Sequence, residues 1–227
     1  MLNYDRRVLE KRNKNPFISQ TELVYTLVLE DIMSNTRLLG SKLNKDQLAK
    51  AMGVSRSPVQ AAINQLLSEG YLIKRGKSGY YVYIPTMRDV ICASEFRIAV
   101  ETNAATLALK RLTADDIKAL QRNVEAQERC DRRDIAKMID LDIEFHDRLV
   151  ASSKSEYIIN AYRQYEGKFR QVHNRITVEN MQGIIFFQHK SILSAIIARD
   201  SAQLESVLRT HLNHTEDYIQ APEYYYR

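Results

Sequence analysis

The chain has 227 residues, 44% of them hydrophobic, which is enough for one large domain or two small ones with a real core. Its formal charge of +5 and pI near 9.1 favour an acidic partner. Two distant cysteines, Cys92 and Cys130, give no disulfide framework and no metal spacing. No apolar run approaches the ~18 residues of a membrane span and the N-terminus is not signal-like, so a soluble, cytoplasmic protein without a membrane partner is expected.

In chain order, residues 1–19 form a basic leader carrying Arg6, Arg7, Lys11, Arg12 and Lys14, expected to be flexible. Thr21–Asn35 follows as an amphipathic helix with Leu23, Val24, Leu27, Val28, Ile32 and Met33 on its apolar stripe. Asn44–Gly70 then reads as two short helices joined by a tight turn. Asn44 caps the first, with Gln47 three residues on, and Gly53 stops it. Ser57 is expected to cap the second, with Pro58 at its first position. Val59, Ile63, Leu66 and Leu67 make its buried face, and Arg56, Ser57, Gln60, Ala61 and Asn64 lie outside. A helix with a polar, amide-bearing outer face after a tight turn suits a DNA major groove.

Residues 71–75 and 80–84 are rich in aromatic and β-branched residues and flank Gly76-Lys77-Ser78-Gly79, so they read as a hairpin. A hairpin after a helix-turn-helix is a wing. Lys42, Lys45, Lys74, Arg75 and Lys77 are placed to touch phosphates or the minor groove, while Arg56, Ser57, Gln60 and Asn64 face the major groove.

A boundary falls near residue 87. Residues 1–87 hold 13 basic and 7 acidic side chains, net +6, and the remainder hold 20 and 21, net −1. The basicity therefore belongs to the first part, as a DNA-binding module requires. The domains read as leader 1–19, winged helix-turn-helix 20–86, an all-helical domain 87–220 and a tyrosine-rich tail 221–227. Helices are expected near 88–110, 114–130, 132–152, 156–176, 180–198 and 201–219, with Thr113 and Asp200 as caps. The fold class is mainly α: a winged helix-turn-helix followed by an all-α antiparallel bundle.

Several polar residues in the second part lie on apolar stripes. Asp142 and His146, four apart, share the face of Ile135, Ile139 and Leu149. His189 is in phase with Ile185, Ile192 and Ile196, and His211 with Leu204 and Leu208. His173, in phase with Phe169, lines the same cavity, and His214 is a substitute for His211. Inward imidazoles and carboxylates need partners. Two readings stay open: histidines hydrogen-bonded in a structural core, or a divalent metal. Three histidines and one aspartate suit Zn²⁺, Ni²⁺ or Mn²⁺.

LAKAMGVSRSPVQAAINQLLSEGYL resembles the winged helix-turn-helix of GntR-family bacterial regulators, and RGKSGYYVYIP resembles its wing. The second part is similar to the FCD ligand-binding domain of the FadR-like subfamily. The similarity lies in Glu95-Phe96-Arg97, Glu101, Asp142, Phe145-His146, Gln188-His189, Ala195-Ile196, Asp200 and His211-Leu212. The resemblance implies a metal at Asp142, His146, His189 and His211, a homodimer on a palindromic double-stranded operator, and a small organic acid effector meeting the metal, with Arg97 as a second contact. The expected function is a metabolite-responsive transcriptional regulator and not an enzyme. The alternative is a metal-dependent hydrolase with a DNA-binding appendage. The chain departs from the family at Gln60-Ala61, where Arg-Glu is usual, and at Asp46, often Arg. Amides match adenine, so the contacted bases are expected to be richer in A·T.

Overall fold

A computed structural model describes the backbone of residues 4–34, 36–175 and 181–219 and the side chains of 4–34, 36–172 and 188–213. The chain divides into two units, Met1–Ile84 and Pro85–Arg227.

The first unit begins with α1 (Tyr4–Lys14), where a flexible leader was expected. Tyr4 and Val8, one turn apart, are buried, and Arg7 and Lys11 on the same side pair with Glu30 of α2 (Gln20–Met33). The stabilising partners lie 19 and 23 residues downstream, so local composition alone does not reveal the helix.

Ser19 caps α2, its side chain accepting from the Glu22 N–H. Two residues form β1 (Lys42–Leu43), and α3 (Lys45–Met52) follows. The Asn44 side chain accepts from the backbone N–H groups of Asp46 and Gln47, a cap worth about 1 kcal/mol. Gly53 ends α3 in the left-handed region, φ 62°, where a side chain would be strained.

The next helix, α4 (Arg56–Ser68), starts two residues earlier than a Ser57 cap requires. Ser55 is its N-cap, without a side-chain cap bond, and Pro58 is the third helical residue rather than the first. Proline fits there because the first helical N–H groups have no intrahelical acceptor. Val59, Ile63 and Leu66 are fully buried with Leu23, Leu27 and Ile32 of α2, each contributing roughly 1.5–3 kcal/mol by leaving water.

The wing consists of β2 (Leu72–Lys74) and β3 (Tyr80–Val82). It acquires a third strand not anticipated from sequence. The antiparallel order is β1-β3-β2, with Lys42 opposite Tyr81 and Leu72 opposite Val82. Two residues are too few to show a period-2 pattern.

The second unit is helical: α5 (Met87–Arg111), α6 (Ala114–Arg129), α7 (Ile135–Ala151), α8 (Glu156–Arg175), α9 (Met181–Ala198) and α10 (Ser201–Ile219). Capping boxes start α5 at Thr86/Asp89 and α6 at Thr113/Asp116, and Asp200 accepts from the Gln203 N–H at the start of α10. Helix α5 packs on α7, α8 and α10, α6 on α7 and α9, and α9 on α10. Their shared core includes Ala105, Ala108, Leu120, Phe145, Leu149, Ile192, Ile196 and Leu208. The small alanines of α5 let neighbouring helices approach closely, so one end of the core can hold side chains from α5, α6, α7, α9 and α10 together. Among the described residues no helix is long and apolar enough to cross a membrane.

Candidate functional site

In the second unit Asp142 and His146 of α7, His189 of α9 and His211 of α10 converge. One ligand-type atom from each lies within 4.8 Å of all the others, and all four residues are buried. The Nε2 atoms of the three imidazoles point at one another: His146 to His211 is 2.8 Å, His189 to His211 3.2 Å and His189 to His146 3.3 Å. An Asp142 Oδ1 lies 3.4 Å from His189 Nε2 and 3.8 Å from His146 Nε2.

Each Nδ1 is engaged behind. His146 Nδ1 meets Glu101 Oε2 at 2.5 Å, His189 Nδ1 meets Gln127 Oε1 at 2.8 Å, and His211 Nδ1 meets Gln188 Oε1 at 2.9 Å. Burial works against ionising Glu101, but the Arg97 charge and the hydrogen bonds from Arg97 and His146 outweigh it and hold its carboxyl below the ordinary range. It is therefore an acceptor, and His146 Nδ1–H donates to it. Gln127 spends its Nε2 hydrogens on Asn123 Oδ1 at 2.7 Å and the Leu141 carbonyl at 3.4 Å, so its oxygen faces His189. Asn123 in turn donates to the Leu141 carbonyl and to Glu144. Phe145 stacks on the His189 ring at 4.1 Å and fixes its plane.

With the Nδ1 atoms protonated, the Nε2 atoms carry lone pairs, so three acceptors and a carboxylate face one point. A single proton can bridge one pair and leaves the third nitrogen facing lone pairs. A divalent cation satisfies all four groups, and the donor set of three imidazoles and one carboxylate fits such an ion. Burial pushes the His189 imidazole down to about 3, against the favourable charge of Asp142, so it stays neutral as a ligand must.

Arg97 of α5 is buried and donates through Nε to Glu101 at 2.6 Å. Glu101 is the only hydrogen-bond partner of this guanidinium among the described residues, and the Arg97 charge is felt by both Asp142 and His189. The side chains of His173 and His214 lie outside the described residues. The supporting residues Gln127 and Asn123 are not among the site residues expected from sequence. They sit in phase with Leu120 and Val124 on the buried face of α6, the same signal of polar groups on an apolar stripe that identified the histidines.

On the first unit, Arg56, Ser57 and Asn64 are exposed on α4, and Arg56 Nε pairs with Asp46 Oδ1 at 2.8 Å. Gln60 is half-buried between Lys45 and Asn64. Lys74, Arg75 and Lys77 are exposed at the tip of the wing. Lys42 and Arg75 flank the Tyr81 ring, 6.0 and 5.2 Å from its centre. The expected groove-facing and phosphate-facing side chains are thus on one unit, but the wing tyrosines join them.

A winged helix-turn-helix followed by a separate helical unit defines a class: a DNA-binding regulator with a second, all-helical domain. Residues 20–82 match the bacterial regulatory proteins of the gntR family and residues 93–214 match the FCD domain. The chain belongs to the GntR-family transcriptional regulators that carry an FCD domain. It is 27% identical over 180 residues to the Nta operon transcriptional regulator of Aminobacter aminovorans, covering 79% of this chain and 85% of that one. It is 23% identical over 211 residues to the HTH-type transcriptional repressor RspR of Escherichia coli K12, covering 91% of each. The crystal structure of a putative GntR regulator from Rhodococcus sp. RHA1 shares the fold, with TM-score 0.80 at 22% identity over 92% of this chain and all of that one. These families and relatives are transcription regulators, not enzymes, which sets aside the hydrolase alternative.

Proposed function

We propose that the protein is a cytoplasmic, homodimeric regulator whose grip on a palindromic operator is modulated by a small organic acid at a divalent transition metal, Zn²⁺, Ni²⁺ or Mn²⁺, held by Asp142, His146, His189 and His211. The observation that carries this reading is the convergence of three imidazole Nε2 atoms whose Nδ1 atoms are each tied behind. When bound, the ion supplies a Lewis-acidic position for a carboxylate oxygen.

The chain's own residues do the rest. Glu101, Gln127 and Gln188 hold the imidazole tautomers. Arg97, with its Nη hydrogens unengaged among the described residues, offers a planar fork that matches a second carboxylate or hydroxyl group. Burial of the cluster strengthens both contacts. An acid that prefers one dimer geometry then shifts the population of recognition-helix spacings, which must match half-sites ~34 Å apart or a multiple of it.

The test is operator binding by the full-length protein in the presence of a panel of small mono-, di- and tricarboxylates and uncharged analogues. At least one carboxylate is expected to change operator affinity by roughly 5–150-fold, the usual range of allosteric coupling. The effect should vanish in Asp142→Ala. A response to uncharged ligands alone would sink the reading.

A further inference from the structure

The amides of α4 have their hydrogen-bonding polarity set from within the protein. Gln60 Oε1 accepts from Lys45 Nζ at 2.8 Å. Gln60 Nε2 donates to Asn64 Oδ1 at 2.8 Å and to the hydroxyl of Tyr80, in the wing strand, at 3.3 Å. The Lys45 ammonium also lies over the Tyr80 ring, 5.5 Å from its centre. Three elements, α3, α4 and β3, therefore meet at one glutamine.

A lysine ammonium can only donate, so the Gln60 atom facing it is the oxygen. Both hydrogens of Gln60 Nε2 are then spent inside the protein. The Asn64 atom facing Gln60 must accept, so it too is the oxygen. What Asn64 presents outward is its Nδ2 amino group, which has no partner among the described residues. Charge at Lys45 thus propagates through Gln60 and fixes the sign of Asn64. Arg56, held by Asp46, adds more donors to the same helix.

Bidentate reading of adenine needs a donor and an acceptor side by side on one amide. Gln60 has no donor left and the oxygen of Asn64 is engaged. Donors read acceptors, and guanine offers two, N7 and O6, in the major groove. We propose that Lys45 and Gln60 are specificity-setting positioning residues that lock Asn64 as a donor, with the Tyr80 hydroxyl taking up the second hydrogen of Gln60, so that the base Asn64 meets is guanine. This reverses the adenine preference expected from amide composition. It rests on DNA binding by the GntR unit and is independent of the metal pocket.

Site selection from a randomised duplex library tests it, with full-length wild type, Gln60→Ala and Tyr80→Phe. Wild type should select G at one position of the site. Gln60→Ala releases the Asn64 oxygen and should move that position to A, with a change in relative preference of about tenfold. Tyr80→Phe frees one Gln60 donor and should weaken the G preference roughly threefold. The thermal midpoint of both variants should match wild type, which separates misfolding from altered reading. Selection of A by wild type, or one consensus from all three proteins, overturns the proposal. Failure of wild type to bind any duplex would instead strike the DNA-binding assignment beneath it.

Discussion

Each unit buries one notable aspartate, and the two are surrounded in opposite ways. Asp31, 1% exposed, faces donors: the Tyr4 hydroxyl, the Arg7 guanidinium and Arg37 at 3.7 Å. Burial and the bond to Asp31 push the Tyr4 hydroxyl up to about 12, so it remains a donor throughout the physiological range. Asp142, 6% exposed, faces the Nε2 lone pairs of His146 and His189. The first cluster supplies its own countercharges from α1 and from the turn after α2. The second gathers four acceptors around one point, with the Arg97 guanidinium as the positive charge that acts on them from α5. A buried polar cluster that is complete in itself reads as structure, and one whose members share a sign reads as a site.

The sharpest way to break this contrast is to delete each carboxylate with and without a chelator. Asp31→Ala leaves two arginines without their buried partner and should destabilise the first unit by about 3 kcal/mol whether or not metal is present. Asp142→Ala should lower the thermal midpoint of metal-loaded protein and make much less difference once metal is removed. Equal penalties for Asp142→Ala in both states would erase the distinction. Chemical denaturation monitored by circular dichroism measures both.

A smaller effect sharpens the role of the residues behind the imidazoles. Gln127→Ala removes the acceptor that fixes the His189 tautomer but keeps all four ligands. Metal affinity should fall about 10–100-fold while the fold persists. Titration of the apo protein with Zn²⁺ measures it, and an unchanged affinity would mean that Gln127 only fills space.

The smallest effect concerns acid. Burial opposes ionisation of Asp116, but Lys154 and the Thr113 cap outweigh it and hold its carboxyl below the ordinary range. Its contribution to stability is therefore present above the unfolded value of about 4 and is lost as pH falls through the lower folded value. The stability gap between wild type and Asp116→Asn should narrow below about pH 4. A gap that stays constant from pH 6 to pH 3 would contradict the assignment.

The helix-turn-helix, the wing and the positions of Asp142, His146, His189 and His211 were legible because each rests on local periodicity or on a cap. What escaped was set by partners distant in sequence. Helix α1 depends on Glu30 and Asp31, and β1 depends on pairing with β3 across nearly forty residues. The start of α4 was misplaced by reading Ser57 and Pro58 as a cap pair, although Ser55 offers an equivalent hydroxyl two residues earlier. Amide polarity at Gln60 and Asn64 was beyond composition, because it is decided by Lys45 on another helix.

If a metal ion completes the second cluster, elemental analysis of the purified full-length protein will find it. Wild type should carry about one divalent transition metal ion per chain, and His189→Ala, folded by circular dichroism, should carry none. Chelation should lower the wild-type midpoint on the order of 10 °C, as expected when a ligand present far above its dissociation constant is withdrawn. A metal-free wild type whose midpoint responds to neither chelator nor added Zn²⁺, Ni²⁺ or Mn²⁺ would make the three histidines and Asp142 a structural core instead of a metal site.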